Sequence, residues 1–199
     1  MLFRSRVASS KKKPRPGRLR IVAGKWRSRL LDIANVPGLR PTSERIRETL
    51  FNWLRPTISG ARCLDLFAGT GALGLEALSR GAADVVFVEK SPLAVKVLRD
   101  NVQTLAATTA DVRQGDALAF LQAPPGDKFD IVFLDPPFAA DMLGDLCRLI
   151  DEASVLDGGA LVYLEDDRAR AETDLPSGWR ILKSKTAGNV RYSLAQVDK

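Results

Sequence analysis

From residue 61 onward the apolar period switches repeatedly between two and 3.6, and this alternation constrains the fold more than any other feature of the chain. Short apolar runs occupy 61–67, 84–89, 110–115 and 129–134, and helical spacings occupy 72–80, 92–106 and 117–122. Strands such as FDIVFL, apolar at consecutive positions, need cover on both faces, and a helix between two strands returns the chain to a parallel neighbour. The pattern predicts a doubly wound α/β sheet. A helix near 141–153 and a strand near 159–165 extend it. The final stretch, WRILKSKTAGNVRYSLAQV, has two alternating segments about an AGN turn and predicts an antiparallel hairpin, so that the sheet is mixed at one edge.

Ahead of this unit, TSERIRETLFNWL reads as a helix with Thr42 or Ser43 as N-cap, Ile46, Leu50, Trp53 and Leu54 on one face, and Pro56 as its stop. Trp53 is assigned to the core. Further upstream, LRIVAGKWRSRLLDI alternates apolar and basic residues around Gly24-Lys25, as a hairpin does. Residues 1–31 hold eleven Lys or Arg and no acid, whereas the remainder carries 19 basic against 24 acidic residues. The body is acidic and its N-terminal segment basic. Residues 1–17 are expected to be a solvated, disordered arm. A basic ribbon carrying Lys25, Trp26 and Arg27 suits phosphates and unpaired bases, and packing against the domain is the equally weighted alternative.

A chain of 199 residues, 45% hydrophobic, is expected to form one domain with a small appendage. It contains no apolar stretch of membrane-spanning length, and MLFRSRVASSKKK lacks the apolar centre of a secretory signal, so a cytoplasmic protein is expected. Cys63 and Cys147 fall in a strand and a helix without metal-ligand spacing and read as reduced core thiols; no metal is expected. Histidine is absent, which excludes His-based triads, His metal sites and the commonest general base.

In open α/β sheets ligands lie beyond the carboxyl ends of the strands. There the chain places FAGTGALGLEAL, in which Gly69, Gly71 and Gly74 fit G-x-G-x-x-G, together with Asp65, Glu89, Asp116 and Asp135. The glycines with Glu89 fit a nicotinamide dinucleotide, but its pyrophosphate is badly served by Asp65 and Asp116. S-adenosylmethionine has no phosphate: Asp65 would lie near its ammonium, Glu89 would accept the ribose hydroxyls, Asp116 the adenine amine, and Gly69 and Gly71 would let backbone approach the methionine portion. Singly, each acid is as readily an N-cap or a solvated turn. Arg40, Thr42 and Arg45 are candidates for the cofactor carboxylate or an RNA phosphate, with a capped, solvated helix face as the equal alternative.

The strand FDIVFL runs into DPPF. The two prolines fix φ and remove N–H donors, leaving the Pro136 carbonyl and the Asp135 carboxylate as acceptors on a rigid support beside the flat ring of Phe138. That set suits a planar ring bearing an amino group; the plain alternative is a strand that stops at a proline turn.

The glycine loop, the Glu89 strand end, the Asp116 turn and DPPF together resemble a class I S-adenosylmethionine-dependent methyltransferase of the amino-methylating kind. More narrowly, GLRPTSERIRETLFNWL resembles the bacterial 16S ribosomal RNA guanine-N2 methyltransferases, over about Leu19 to Val197. The resemblance implies a Rossmann-like, mostly parallel seven-stranded sheet whose last pair is reversed, monomeric action, and methylation of a guanine in small-subunit ribosomal RNA or an assembling small subunit. It implies that Asp135, Pro136 and Phe138 are catalytic, with Phe138 stacking on the guanine. The organisation expected is a basic arm over 1–17, an RNA-contacting and cofactor-covering hairpin and helix over 18–56, and a methyltransferase domain over 57–199. Alternatives on the residues alone are a DNA amino-methyltransferase, a protein glutamine methyltransferase, a non-catalytic RNA-binding protein with a nucleotide-binding fold, and an NAD-dependent oxidoreductase.

Overall fold

A computed structural model of the chain describes residues 17–124, 126–137 and 142–198. Phe138, and the arm as far as residue 16, lie outside the described residues. The N-terminal hairpin comprises β1 (Arg18–Arg20) and β2 (Leu30–Asp32), paired antiparallel with Leu19 opposite Leu31. Its tip leaves the ladder because other partners claim its amides: Val22 and Ala23 donate to the Glu76 carboxylate, and Lys25 donates to the Ser79 carbonyl at 2.7 Å. Gly24 lies so close to the helix carrying Ser79 that a Cβ there would stand 1.9 Å from the Ser79 carbonyl oxygen. Only glycine docks at that spot.

Helix α1 (Glu44–Trp53) is capped by Ser43, whose hydroxyl accepts from the Ile46 amide. It buries Ile46, Leu50 and Phe51 as its period requires, and with them Arg47. Trp53, expected in the core, is half-buried at its border and stacks on Tyr192 with centroids 5.5 Å apart.

The alternating region forms β3 (Arg62–Asp65), α2 (Ala72–Ser79), β4 (Asp84–Glu89), α3 (Pro92–Thr104), β5 (Ala110–Gln114), α4 (Ala117–Gln122), β6 (Phe129–Leu134), α5 (Leu143–Glu152), β7 (Leu156–Asp167), β8 (Trp179–Ala187) and β9 (Val190–Val197). Strand order is β5-β4-β3-β6-β7-β9-β8, parallel as far as β7, with β9 antiparallel to both of its neighbours. Strand β7 is longer at both ends than its apolar run, 159–165, because its first residues still pair with β6, Phe129 opposite Leu156, and its last with β9.

Two cores follow from the pleat. Cys63, Phe87, Ile131, Phe133 and Tyr163 face the hairpin, α1 and α2, whereas Leu64, Val86, Val132 and Val162 face α4 and α5. Ile131, Val132, Phe133 and Leu134 are all 0% exposed, which accounts for the unbroken apolar run. Each such side chain contributes about 1.5–3 kcal/mol by leaving water. Both cysteines are buried and free. Among the described residues, no helix is long and apolar enough to cross a membrane.

The order reverses between β3, whose chain continues to β4 on one side, and β6 on the other. That switch point brings the glycine loop and Asp135 to one end of the sheet.

Candidate active site

The loop after β3 turns into α2 through Gly71, which takes the N-cap position with φ +76, a left-handed conformation suited to glycine. The Glu89 carboxylate, ending β4, grips this loop: one oxygen accepts from the Gly69 amide at 2.8 Å and the other from the Ser91 amide at 2.7 Å. Each oxygen retains a lone pair for a further donor. Asp116, just past β5, caps α4 through the Leu118 amide at 2.9 Å and meets Lys90 at 3.2 Å. The Lys90 hydrogen bond, then the Leu118 amide, hold its carboxyl below the usual carboxylate range. Both members of that ion pair are solvated, so it holds Asp116 weakly.

Asp65 departs from the expectation of a rim carboxylate. It lies 2% exposed beneath the loop and accepts from the Gly74 amide at 3.0 Å. Burial pushes it up to about 7, against the lowering effect of that amide. It braces the first turn of α2 from below.

Asp135 follows the last residue of β6, with Pro136 buried and Pro137 exposed. Its Oδ2 accepts from the Thr42 hydroxyl at 3.4 Å. Burial, then the negative charges of Glu165 and Asp65, hold the Asp135 carboxyl well above the usual range. Glu165 reaches this position through β-sheet register: Leu134 pairs with Leu164, which sets the next residues, Asp135 just past β6 and Glu165 within β7, side by side. The Tyr163 hydroxyl donates to Glu165 at 2.6 Å. Burial raises Glu165 as well, and the Tyr163 bond opposes that rise.

Of the predicted residues, the structure brings Asp65, Gly69, Gly71, Glu89, Thr42, Asp135 and Pro136 to the strand-end rim or directly beneath it, with Asp116 at its β5 side. Thr42 is set against Asp135. Arg40, Arg45, Lys25 and Arg27 are exposed, and Trp26 is half-buried with the Lys25 ammonium 5.4 Å from its ring centre. Sequence reasoning missed Glu165 and Tyr163. It also missed Arg47 and Glu76, a fully buried ion pair at 3.1 Å. An acid within the apolar helix GALGLEAL, and an arginine four residues before Phe51 on the buried face of α1, were the available signals.

The acceptors at the rim fit an uncharged adenosine bearing a cationic tail: Glu89 has accepting capacity beside the glycine loop, where its charge would repel a pyrophosphate. Among the described residues, no group of His, Cys, Asp and Glu is placed to hold a metal ion.

The pattern defining the family described as conserved hypothetical protein 95 matches residues 19–196. The chain belongs to this family. Relatives include ribosomal RNA small subunit methyltransferase D of Escherichia coli strain K12, 44% identical over 180 residues, covering 90% of each chain. The protein of the same name from Haemophilus influenzae is 44% identical over 183 residues, covering 90% of this chain and 94% of its own. Among solved structures, a putative methyltransferase from Escherichia coli superposes with a TM-score of 0.85 at 42% identity, covering 92% of this chain and 99% of its own. The hairpin and α1 lie within the family match as fully as the sheet does.

Proposed function

We propose that this protein transfers a methyl group from S-adenosylmethionine to the exocyclic N2 amine of a guanine in small-subunit ribosomal RNA. The observation that carries the reading is Asp135, rigidly ended by Pro136-Pro137 and set on the same rim as the Glu89-gripped glycine loop. Membership of a family whose 44%-identical relatives are named small-subunit ribosomal RNA methyltransferases supports the substrate class.

Bound S-adenosylmethionine supplies a methyl group on a cationic sulfur. Glu89 accepts from the ribose hydroxyls, Asp116 from the adenine amine, and Gly69 and Gly71 admit backbone contact to the methionine portion; Arg40 takes the cofactor carboxylate or an RNA phosphate. Asp65 acts beneath the loop, on the Gly74 amide. Asp135 and the Pro136 carbonyl accept the two N–H bonds of the guanine amine, whose lone pair is otherwise delocalised into the ring, and aim it along the line of displacement. The nitrogen–carbon bond forms as the carbon–sulfur bond breaks, and the methylated nitrogen gives up a proton to Asp135 or water. This needs no histidine. Phe138 stacks on the base, which enters unpaired or flipped out. Residues 18–56, through Lys25, Trp26, Arg27 and Arg45, contact RNA and cover the cofactor, residues 57–199 form the methyltransferase domain, and the protein acts as a monomer in the cytoplasm.

The test is incubation with labelled S-adenosylmethionine and small-subunit ribosomal RNA, naked or partly assembled, from cells lacking the gene, followed by nucleoside mapping. N2-methylguanosine at one site is expected. Label on adenine or cytosine, or binding of NAD in preference to S-adenosylmethionine by calorimetry, overturns the reading.

A further inference from the structure

Methyl transfer as derived from the rim leaves Arg47 and Glu76 unused, although they are 1% and 0% exposed. An ion pair withdrawn from water is weak support for stability, since well-packed apolar residues often serve as well. Its geometry points to another use. Arg47 spends its donors in three directions: on Glu76 at 3.1 Å, on the Arg20 carbonyl of β1 at 2.9 Å, and through Nε on the Thr42 carbonyl at 3.1 Å. Glu76 in turn accepts from the amides of Val22 at 2.8 Å and Ala23 at 3.0 Å, and from Arg80 at 2.7 Å. One buried pair thus joins the hairpin, α1, α2 and the residue whose hydroxyl rests on Asp135.

We propose that Arg47, held by Glu76, is a positioning residue for methyl transfer: by pinning the Thr42 backbone it sets the Thr42 hydroxyl on Asp135 and links that carboxylate to the docked hairpin. The inference rests on the methyl-transfer reading of the site. The Thr42–Asp135 contact, at 3.4 Å, is long for a hydroxyl donor, so a few further tenths of an ångström abolish it. Whatever fixes the Thr42 backbone therefore decides whether the contact exists. Its consequence is electrostatic. Asp135 faces Asp65 from β3 and Glu165 from β7, the latter bonded to Tyr163, and all of these groups are acidic. Among the described residues acting on Asp135, the Thr42 hydroxyl is the one that favours its ionised, accepting form.

The experiment is single-turnover methyl transfer to small-subunit ribosomal RNA at saturating S-adenosylmethionine across pH, with cofactor affinity by calorimetry and melting temperature measured in parallel. Thr42→Val should slow transfer about tenfold, the effect of losing one hydrogen bond to a charged group. The acid limb of its profile should move to higher pH, because ionised Asp135 loses a donor, and Thr42→Ser should restore both. Arg47→Lys should reproduce the Thr42→Val behaviour, with unchanged cofactor affinity and no further slowing when the two are combined. A Thr42→Val protein with wild-type rate and limb overturns the proposal, and so does an Arg47→Lys loss that is equal with and without Thr42→Val. Should Arg47→Lys not fold, the Val and Ser variants at position 42, which leave the ion pair intact, decide alone. Absence of transfer by the unsubstituted protein sinks the methyltransferase reading itself, whereas transfer indifferent to these variants sinks only the positioning role.

Discussion

In the proposed reaction Asp135 has to do something a solvated aspartate cannot: present an acceptor at a fixed angle in a place water does not reach freely. Burial and two acidic neighbours work against its ionisation, and the Thr42 hydroxyl works for it. Asp135→Ala keeps the strand and both prolines, so the fold and cofactor affinity should hold while turnover falls roughly 10²- to 10³-fold, as for other oriented groups that act in the transition state. Single-turnover methylation beside a melting curve measures this. Glu165→Gln tests the neighbour. Its negative charge raises Asp135, so its removal lowers Asp135, and the acid limb of the rate profile should move to lower pH. An unmoved limb would mean that Glu165 does not act on Asp135. The place of Asp135 at a strand end was legible because an acid and two prolines end an apolar strand. Glu165 was not, because it is the first of three consecutive acids, Glu165, Asp166 and Asp167, and only the pairing of Leu134 with Leu164 selects it.

At the scale of elements, the parallel strands and their helices were legible to within a few residues because the apolar period differs between the two kinds of segment. The docking of the hairpin was not legible, since it depends on polar contacts to residues more than fifty positions away. Its alternation predicts a ladder, yet the amides at its tip go to Glu76 and Ser79. Gly24→Ala addresses this join: its Cβ would press on the Ser79 carbonyl from a backbone with φ +84. The substitution should cost about 2 kcal/mol or more in urea unfolding, from left-handed strain together with overpacking. Amide exchange should accelerate at Val22 and Ala23 while the strands β3 and β6 keep their protection. Equal acceleration throughout would mean that the hairpin and the sheet unfold as one unit.

Across the whole molecule, charge is divided: eleven basic residues precede residue 32, and the remainder carries five more acids than bases. An acidic body suits a cationic cofactor and repels RNA; the basic segment offsets that repulsion. Removing residues 1–16, which hold six Lys or Arg, should leave cofactor affinity intact, weaken binding to ribosomal RNA and flatten its salt dependence. The slope of log affinity against log salt should drop by roughly 0.7–0.9 for each phosphate that the arm no longer neutralises. A slope equal to that of the full chain in a salt titration would leave the arm no part in RNA binding.

The Glu76 anchor also sets a timetable for synthesis. Val22 leaves the ribosome 54 residues before the carboxylate that its amide will meet. At about 5–20 residues per second, Val22 waits roughly 3–11 s for its dock to be made. During that interval a cationic ribbon bearing Trp26 stands free at the exit of a particle built largely of RNA, so the first nucleic acid this segment encounters is the ribosome that is still making it.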